Sequence, residues 1–189
     1  SHNPPSYNGF KLKGGYGGPM LEEDISEVEK LIPEKNNLDF ENISLESLEN
    51  KGILEYIDLE TMYCKHLEKN FDIESLRNTK MEFAYDAMYG SGNSFIAQIL
   101  NGTSIKVEFM RNTINPSFGG RRPEPVEENL EELIERVRIE KFDLGIALDG
   151  DADRIAAVAP GGVFIHPQKI LGLLALHLNQ DRGFSGGLV

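Results

Sequence analysis

The chain has 189 residues, 40% of them hydrophobic and 26% charged, which supplies a core for one domain or two small ones and argues against a disordered coil. A net charge of −12 argues against nucleic-acid partners, whose affinity rests on clustered cations. The longest apolar run, Ile170–Leu178, falls short of the ~20 residues of a membrane span, no signal-peptide pattern is present, and the single Cys64 cannot form an internal disulfide, so a cytoplasmic protein without membrane partners is expected.

Residues 1–20 contain five glycines, Lys11 and Lys13 but no acid, and read as a loop able to face an anion. Within them Gly9–Lys13 alternates like a strand until Gly14-Gly15 and Gly17-Gly18-Pro19 break it. Leu21, Ile25, Val28, Leu31 and Ile32 recur at helical spacing and predict an amphipathic helix ended by Pro33. The acids concentrate here: residues 21–50 hold ten against two lysines, a solvated face. Residues 34–52 read as an irregular linker.

Beyond it the period switches repeatedly. Leu59–Leu67 is predicted helix, Lys80–Tyr85 strand, Ser91–Leu100 helix, Ile105–Met110 strand, Leu130–Ile139 helix and Phe142–Leu148 strand. This alternation predicts an α/β fold with a mostly parallel sheet covered by helices. Ile155–Ala159 and Val163–Ile165 flank Pro160-Gly161-Gly162 as a hairpin, followed by a helix from about Pro167 to Leu178.

The clearest chemistry lies in Asp149-Gly150-Asp151-Ala152-Asp153-Arg154. Three carboxylates at alternate positions after an apolar strand can converge on one hard cation such as Mg²⁺, Ca²⁺ or Mn²⁺. Gly150 is expected to let the backbone fold tightly enough for them to meet. An EF-hand is excluded, because its sixth and twelfth positions, Gly and Glu, are here Arg154 and Pro160. An acidic turn without a ligand is the competing reading, against which stands the mutual repulsion of the carboxylates. Arg154 fits either a phosphate clamp or an ion pair with a neighbouring aspartate.

A second constellation opens the chain, Ser1-His2-Asn3-Pro4 followed by Asn8-Gly9-Phe10-Lys11. A hydroxyl, a proton-transfer group and a cation suit phosphoryl transfer, but taken alone His2 is more simply a turn residue and Lys11 a surface lysine.

Together the two motifs resemble the α-D-phosphohexomutase superfamily, and within it the bacterial phosphoglucomutase/phosphomannomutase members. The family's serine loop is T-A-S-H-N-P, and this chain begins on the serine. Phe83–Gly92 resembles the strand-to-helix turn of the family's second domain, and Asn115-Pro116 with Arg122-Pro123-Glu124-Pro125 its proline-rich connection.

The resemblance implies a three-layer βαβ domain flanked by partial domains of similar architecture. Residues 1–58 would be the end of domain 1, 59–158 domain 2 and 159–189 the start of domain 3, in a longer chain whose remaining domains complete the substrate site. It implies a phosphate carried on Ser1, acid–base roles for His2 and Lys11, phosphate contacts from Asn3 and Arg154, and Mg²⁺ on Asp149, Asp151 and Asp153. A sugar phosphate is the implied partner and hexose 1,6-bisphosphate the implied intermediate and activator. Phosphoglucosamine mutase and phosphopentomutase activities stay open within the superfamily, as does a non-catalytic Mg- or phosphate-binding α/β module.

Overall fold

The computed structural model describes residues 9–35 and 42–187. They form two compact units, one within Tyr7–Asp58 and one within Leu59–Val189.

In the first unit, α1 (Glu22–Glu29) follows the acid-rich pattern and carries Glu22, Glu23 and Asp24 in its first turn, where carboxylates favour the helix dipole. Two expectations are corrected here. Gly9–Lys13 is no strand: Lys13 makes a single antiparallel bridge with Pro19, flanked by the Gly14 N–H to the Gly18 carbonyl at 3.0 Å and the Met20 N–H to the Leu12 carbonyl at 3.1 Å, and α1 begins at Glu22 before the pairing extends. The expected linker contains α2 (Leu45–Asn50), started by Ser44, whose hydroxyl accepts the Ser47 N–H. Gly52 in the left-handed region (φ 66°) ends it.

The second unit is built on a five-stranded sheet in the order β2-β1-β3-β4-β5. Its strands are β1 (Glu82–Asp86), β2 (Lys106–Met110), β3 (Leu144–Leu148), β4 (Ile155–Ala159) and β5 (Val163–Ile165). β1 runs parallel to β2 and β3, whereas β4 is antiparallel to both β3 and β5. Half of the pairings are therefore antiparallel, because the short connections β3–β4 and β4–β5 can only reverse the chain. α3 (Leu59–Asn70), α4 (Phe95–Ile99), α5 (Glu131–Glu140) and α6 (Pro167–Gln180) complete the unit.

β1 is buried on both faces, and its alternate side chains serve two cores. Ala84, with Met88 just beyond the strand, joins Leu133 and Val137 of α5 on one face; Phe83 and Tyr85, with Ala87 just beyond the strand, pack with Phe95 and Ile96 of α4 on the other. Gly145 of β3 lets α5 approach, since a Cβ there would stand 2.7 Å from Val137. α3 covers α4, with Tyr63 edge-on to Phe95 at 5.3 Å. The expected helix over Ser91–Leu100 is shortened: Ser91–Asn93 is a 3₁₀ turn and α4 starts only at Phe95. Its glycine, Gly92, is crowded by Leu148 and the Tyr85 hydroxyl, which fixes that turn in a shape a regular helix would not give. Helices thus lie on both faces of the sheet, the three-layer α/β arrangement expected. Among the described residues no helix is long and apolar enough to cross a membrane.

Candidate metal centre

β3 ends at Leu148 and β4 begins at Ile155, so Asp149–Arg154 forms the connection between two antiparallel neighbours. The Asp149 N–H donates to the Arg154 carbonyl at 3.3 Å and the Ala152 N–H to the Asp149 carbonyl at 3.1 Å, closing the loop at its base. The left-handed residue is Ala152 (φ 59°) and not Gly150. The expectation that Gly150 supplies the tight bend is thus corrected.

Asp149 is fully buried and organises the loop from within. Its Oδ1 accepts the N–H groups of Asp153 and Arg154, both at 3.0 Å, and its Oδ2 accepts Arg154 Nε at 3.0 Å. Asp151 and Asp153 are exposed, and one carboxylate oxygen from each of the three aspartates lies within 4.8 Å of the others. Three carboxylate donors so grouped, one held rigidly and two facing solvent, fit a hard divalent cation, which prefers oxygen ligands and keeps waters on its open side. The residues present therefore suit the metal that the sequence resemblance implies.

Two neighbouring loops brace this one. After β1, the Ser91 N–H donates to the Gly150 carbonyl at 3.0 Å. A Cβ on Gly90 would stand 2.7 Å from that oxygen and 2.9 Å from the Asp149 carbonyl oxygen. After β2, the Gly150 N–H donates to the Pro123 carbonyl at 3.1 Å, and Arg154 Nη1 donates to Glu124 Oε1 at 3.0 Å. Both bracing loops carry unusual backbone: Met88 (φ 47°), Tyr89 (φ 59°) and Arg111 (φ 44°) are left-handed without being glycine. Such residues cost roughly 1–3 kcal/mol each and persist where their surroundings dictate them. Here the surroundings are a buried ion pair, in which Asp86 accepts Arg111 Nε at 2.8 and 3.1 Å and also binds its Nη2. The same carboxylate accepts the Met88 N–H at 3.0 Å and so holds the turn.

A cavity of about 610 Å³ opens beside the loop, lined by Asp151, Asp153 and Arg154 on one side and by Glu60, Tyr63 and Phe95 on another. That volume is in the range of small-molecule sites.

The structure brings together Asp149, Asp151, Asp153 and Arg154. Ser1, His2 and Asn3 lie outside the described residues. Lys11 belongs to the other compact unit, where it is exposed and outside any strand. Sequence reasoning missed Gly90, Asp86, Arg111 and Glu124 as parts of the site. For Glu124 a signal existed, since a carboxylate between two prolines is held in an extended backbone and so has a restricted direction.

Comparison with known proteins identifies two matching family models. Phosphoglucomutase/phosphomannomutase, alpha/beta/alpha domain II, matches residues 61–162, and domain I of the same family matches residues 1–39. The phosphoglucomutase/phosphomannomutase of Thermococcus kodakarensis is 31% identical over all of this chain and 40% of its own length. A protein of Methanopyrus kandleri, assigned provisionally as a phosphoglucosamine mutase, is 31% identical over 97% of this chain and 38% of its own length. A crystal structure from Thermus thermophilus, assigned provisionally as a phosphomannomutase, superposes with a TM-score of 0.77 at 33% identity, covering 95% of this chain and 39% of that one. The chain thus spans about two fifths of the length of these relatives.

Proposed function

The chain belongs to the phosphoglucomutase/phosphomannomutase family, and from that premise we propose that the full-length protein is a phosphohexomutase. It interconverts the 1-phosphate and 6-phosphate of a hexose, glucose or mannose, through a phosphoserine at Ser1 and a bound hexose 1,6-bisphosphate. Residues 1–58, 59–158 and 159–189 are assigned to the end of domain 1, to domain 2 and to the start of domain 3. The remaining domains of the full-length chain supply the rest of the sugar site, and a cytoplasmic location suits such a metabolic activity.

The observation that carries this reading is the convergence of three carboxylates at the end of β3, with an arginine fixed beside them. Phosphoryl transfer needs alignment and charge stabilisation more than covalent chemistry from the protein. Asp149, Asp151 and Asp153 would hold Mg²⁺, which supplies neutralising charge beside a transferring phosphoryl group. Ser1 carries the phosphoryl group: its Oγ–P bond breaks as a sugar hydroxyl oxygen bonds to phosphorus, and the bisphosphate returns its other phosphate to the same oxygen. His2 and Lys11 are the candidates to take the proton from the attacking sugar hydroxyl and to return one to Ser1 Oγ. Asn3 and Arg154 orient the phosphate, the latter with a guanidinium whose direction is already fixed by Asp149 and Glu124.

The test is transfer of labelled phosphate from glucose 1,6-bisphosphate to the full-length protein. Label on Ser1 that disappears in Ser1→Ala supports the reading, and a wild-type protein that never becomes labelled sinks it. The name of the Methanopyrus kandleri relative motivates a second substrate, glucosamine 6-phosphate. Comparing kcat/KM for glucose, mannose and glucosamine phosphates decides between them.

A further inference from the structure

The guanidinium of Arg154 has several carboxylates within reach. Its Nε donates to Asp149 Oδ2 at 3.0 Å and its Nη1 to Glu124 Oε1 at 3.0 Å, while Asp153 Oδ1 stands 3.8 Å from Nε, too far for a hydrogen bond. An arginine beside three aspartates is a rival to a divalent cation for the same negative charge. Where the guanidinium points therefore bears on whether those oxygens are available to a metal.

Glu124 is well placed to set that direction. It lies between Pro123 and Pro125, whose rings restrict the backbone around it. Its carbonyl accepts the Asn129 side-chain amide at 2.9 Å, and the Asn129 carbonyl accepts Arg111 Nη2 at 3.3 Å, which ties the segment to the buried Asp86. The preceding Pro123 carbonyl accepts the Gly150 N–H, so the strap that carries Glu124 is fastened to the metal loop itself. The Glu124 carboxylate is thus held on a stiff segment at a fixed distance from Asp149.

We propose that Glu124 is a positioning residue for the metal centre: it draws the Arg154 guanidinium onto Asp149 and away from Asp153, leaving the outer aspartates to the cation. This rests on the reading of the triad as a metal site. Glu124 touches neither metal nor substrate and acts only through Arg154.

The experiment measures Mn²⁺ affinity of the full-length protein by electron paramagnetic resonance, with thermal stability followed in parallel. Partners that orient ligands typically change metal affinity 10–100-fold, and at one further remove the lower end is expected, so Glu124→Ala should bind Mn²⁺ about tenfold more weakly. Glu124→Gln keeps an acceptor oxygen at the same reach while losing the charge, and should bind within about threefold of wild type, on the same scale. In an Arg154→Ala background Glu124→Ala should have no further effect, because the group it positions is gone. Equal losses in Glu124→Ala and Glu124→Gln would show a charge effect and overturn the proposal, as would additive losses in the double variant. Asp151→Asn is the separate control: if it leaves Mn²⁺ binding intact, the metal reading itself falls and this proposal with it. If Asp151→Asn abolishes binding and the cycle is additive, only the role of Glu124 falls.

Discussion

The loops that follow β1 and β3 lie side by side at the carboxyl ends of two neighbouring parallel strands, yet they contribute in opposite ways. The loop after β3 contributes side chains: three carboxylates and a guanidinium within six residues. The loop after β1 contributes backbone: Gly90 makes room for Gly150, the Ser91 N–H binds the Gly150 carbonyl, and Met88 and Tyr89 take left-handed conformations to bring this about. One loop holds the charged groups and the other holds the first in shape. A search for charged or nucleophilic residues finds only the first kind.

The largest expected effect comes from releasing the loop after β1. Asp86 is fully buried and Arg111 is 12% exposed, so Asp86→Ala strands a guanidinium with little access to water. Removing one partner of a buried pair typically costs about 3–5 kcal/mol. Urea denaturation should show a loss in that range, and a loss under about 1 kcal/mol would mean that the left-handed turn is held by something else.

Next in size is the effect of the cation on the loop after β3. A ligand that binds only the folded state stabilises it by about 2.7 kcal/mol at a hundred times its Kd. Adding Mg²⁺ should raise the melting temperature of the wild type and leave that of Asp151→Asn unchanged. Equal shifts in both proteins would place the cation elsewhere.

The contact between the two loops is tested by Gly90→Ala. The added carbon would meet backbone atoms of Asp149 and Gly150 within 2.9 Å, and backbone cannot rotate aside as a side chain can. Overpacking of this kind costs about 1–3 kcal/mol, and Mg²⁺ affinity should fall as well because the displaced atoms belong to the metal loop. Gly172 of α6 is the control, with no atom within 4 Å of its added carbon. Alanine there should stabilise by about 0.5–1 kcal/mol through helix propensity alone.

These contrasts also explain what was legible in the sequence. Asp149, Asp151 and Asp153 were readable because local alternation after an apolar strand is enough to group them. β1, β2, β3, the β4–β5 hairpin, α3, α5 and α6 were readable for the same reason, since each is a periodic stretch with clear breaks. The Asp86–Arg111 pair was not, because its members are 25 residues apart and meet only through the pairing of β1 with β2. Gly90 was illegible as a site residue because what it touches depends on the neighbours the strand order gives it, and for Glu124 the flanking prolines signalled a restricted direction but not the Arg154 partner it meets. The Gly9–Lys13 strand was misread because alternation signals a possible strand and says nothing of a partner. The left-handed bend at Ala152 was missed because glycine is the usual expectation and Asp149 takes over the task by hydrogen bonding.

The smallest effect concerns Tyr85, which lies beneath both loops. Its ring packs with Leu148 of β3, and its hydroxyl donates to the Gly92 carbonyl in the turn after β1. Burial, and secondarily the charges of Tyr63 and Asp86, push this hydroxyl far above the ordinary tyrosine range. The unfolded chain ionises at about pH 10, so above that pH it releases a proton that the folded protein still holds. Folded protein then binds more protons than unfolded, and stability must fall as pH rises, by up to about 1.4 kcal/mol per pH unit from this group. Tyr85→Phe loses the hydrogen bond to Gly92, which at neutral pH costs about 0.5–1.5 kcal/mol, but it also loses this proton linkage. Denaturation of the two proteins between pH 8 and 11 should therefore give curves that run parallel up to about pH 10 and then converge. Curves that stay parallel to the end of that range would show that Tyr85 ionises as readily in the folded protein as in the unfolded one. The turn after β1 would then be open to water, and the backbone seat beneath the metal loop would be softer than its hydrogen bonds imply.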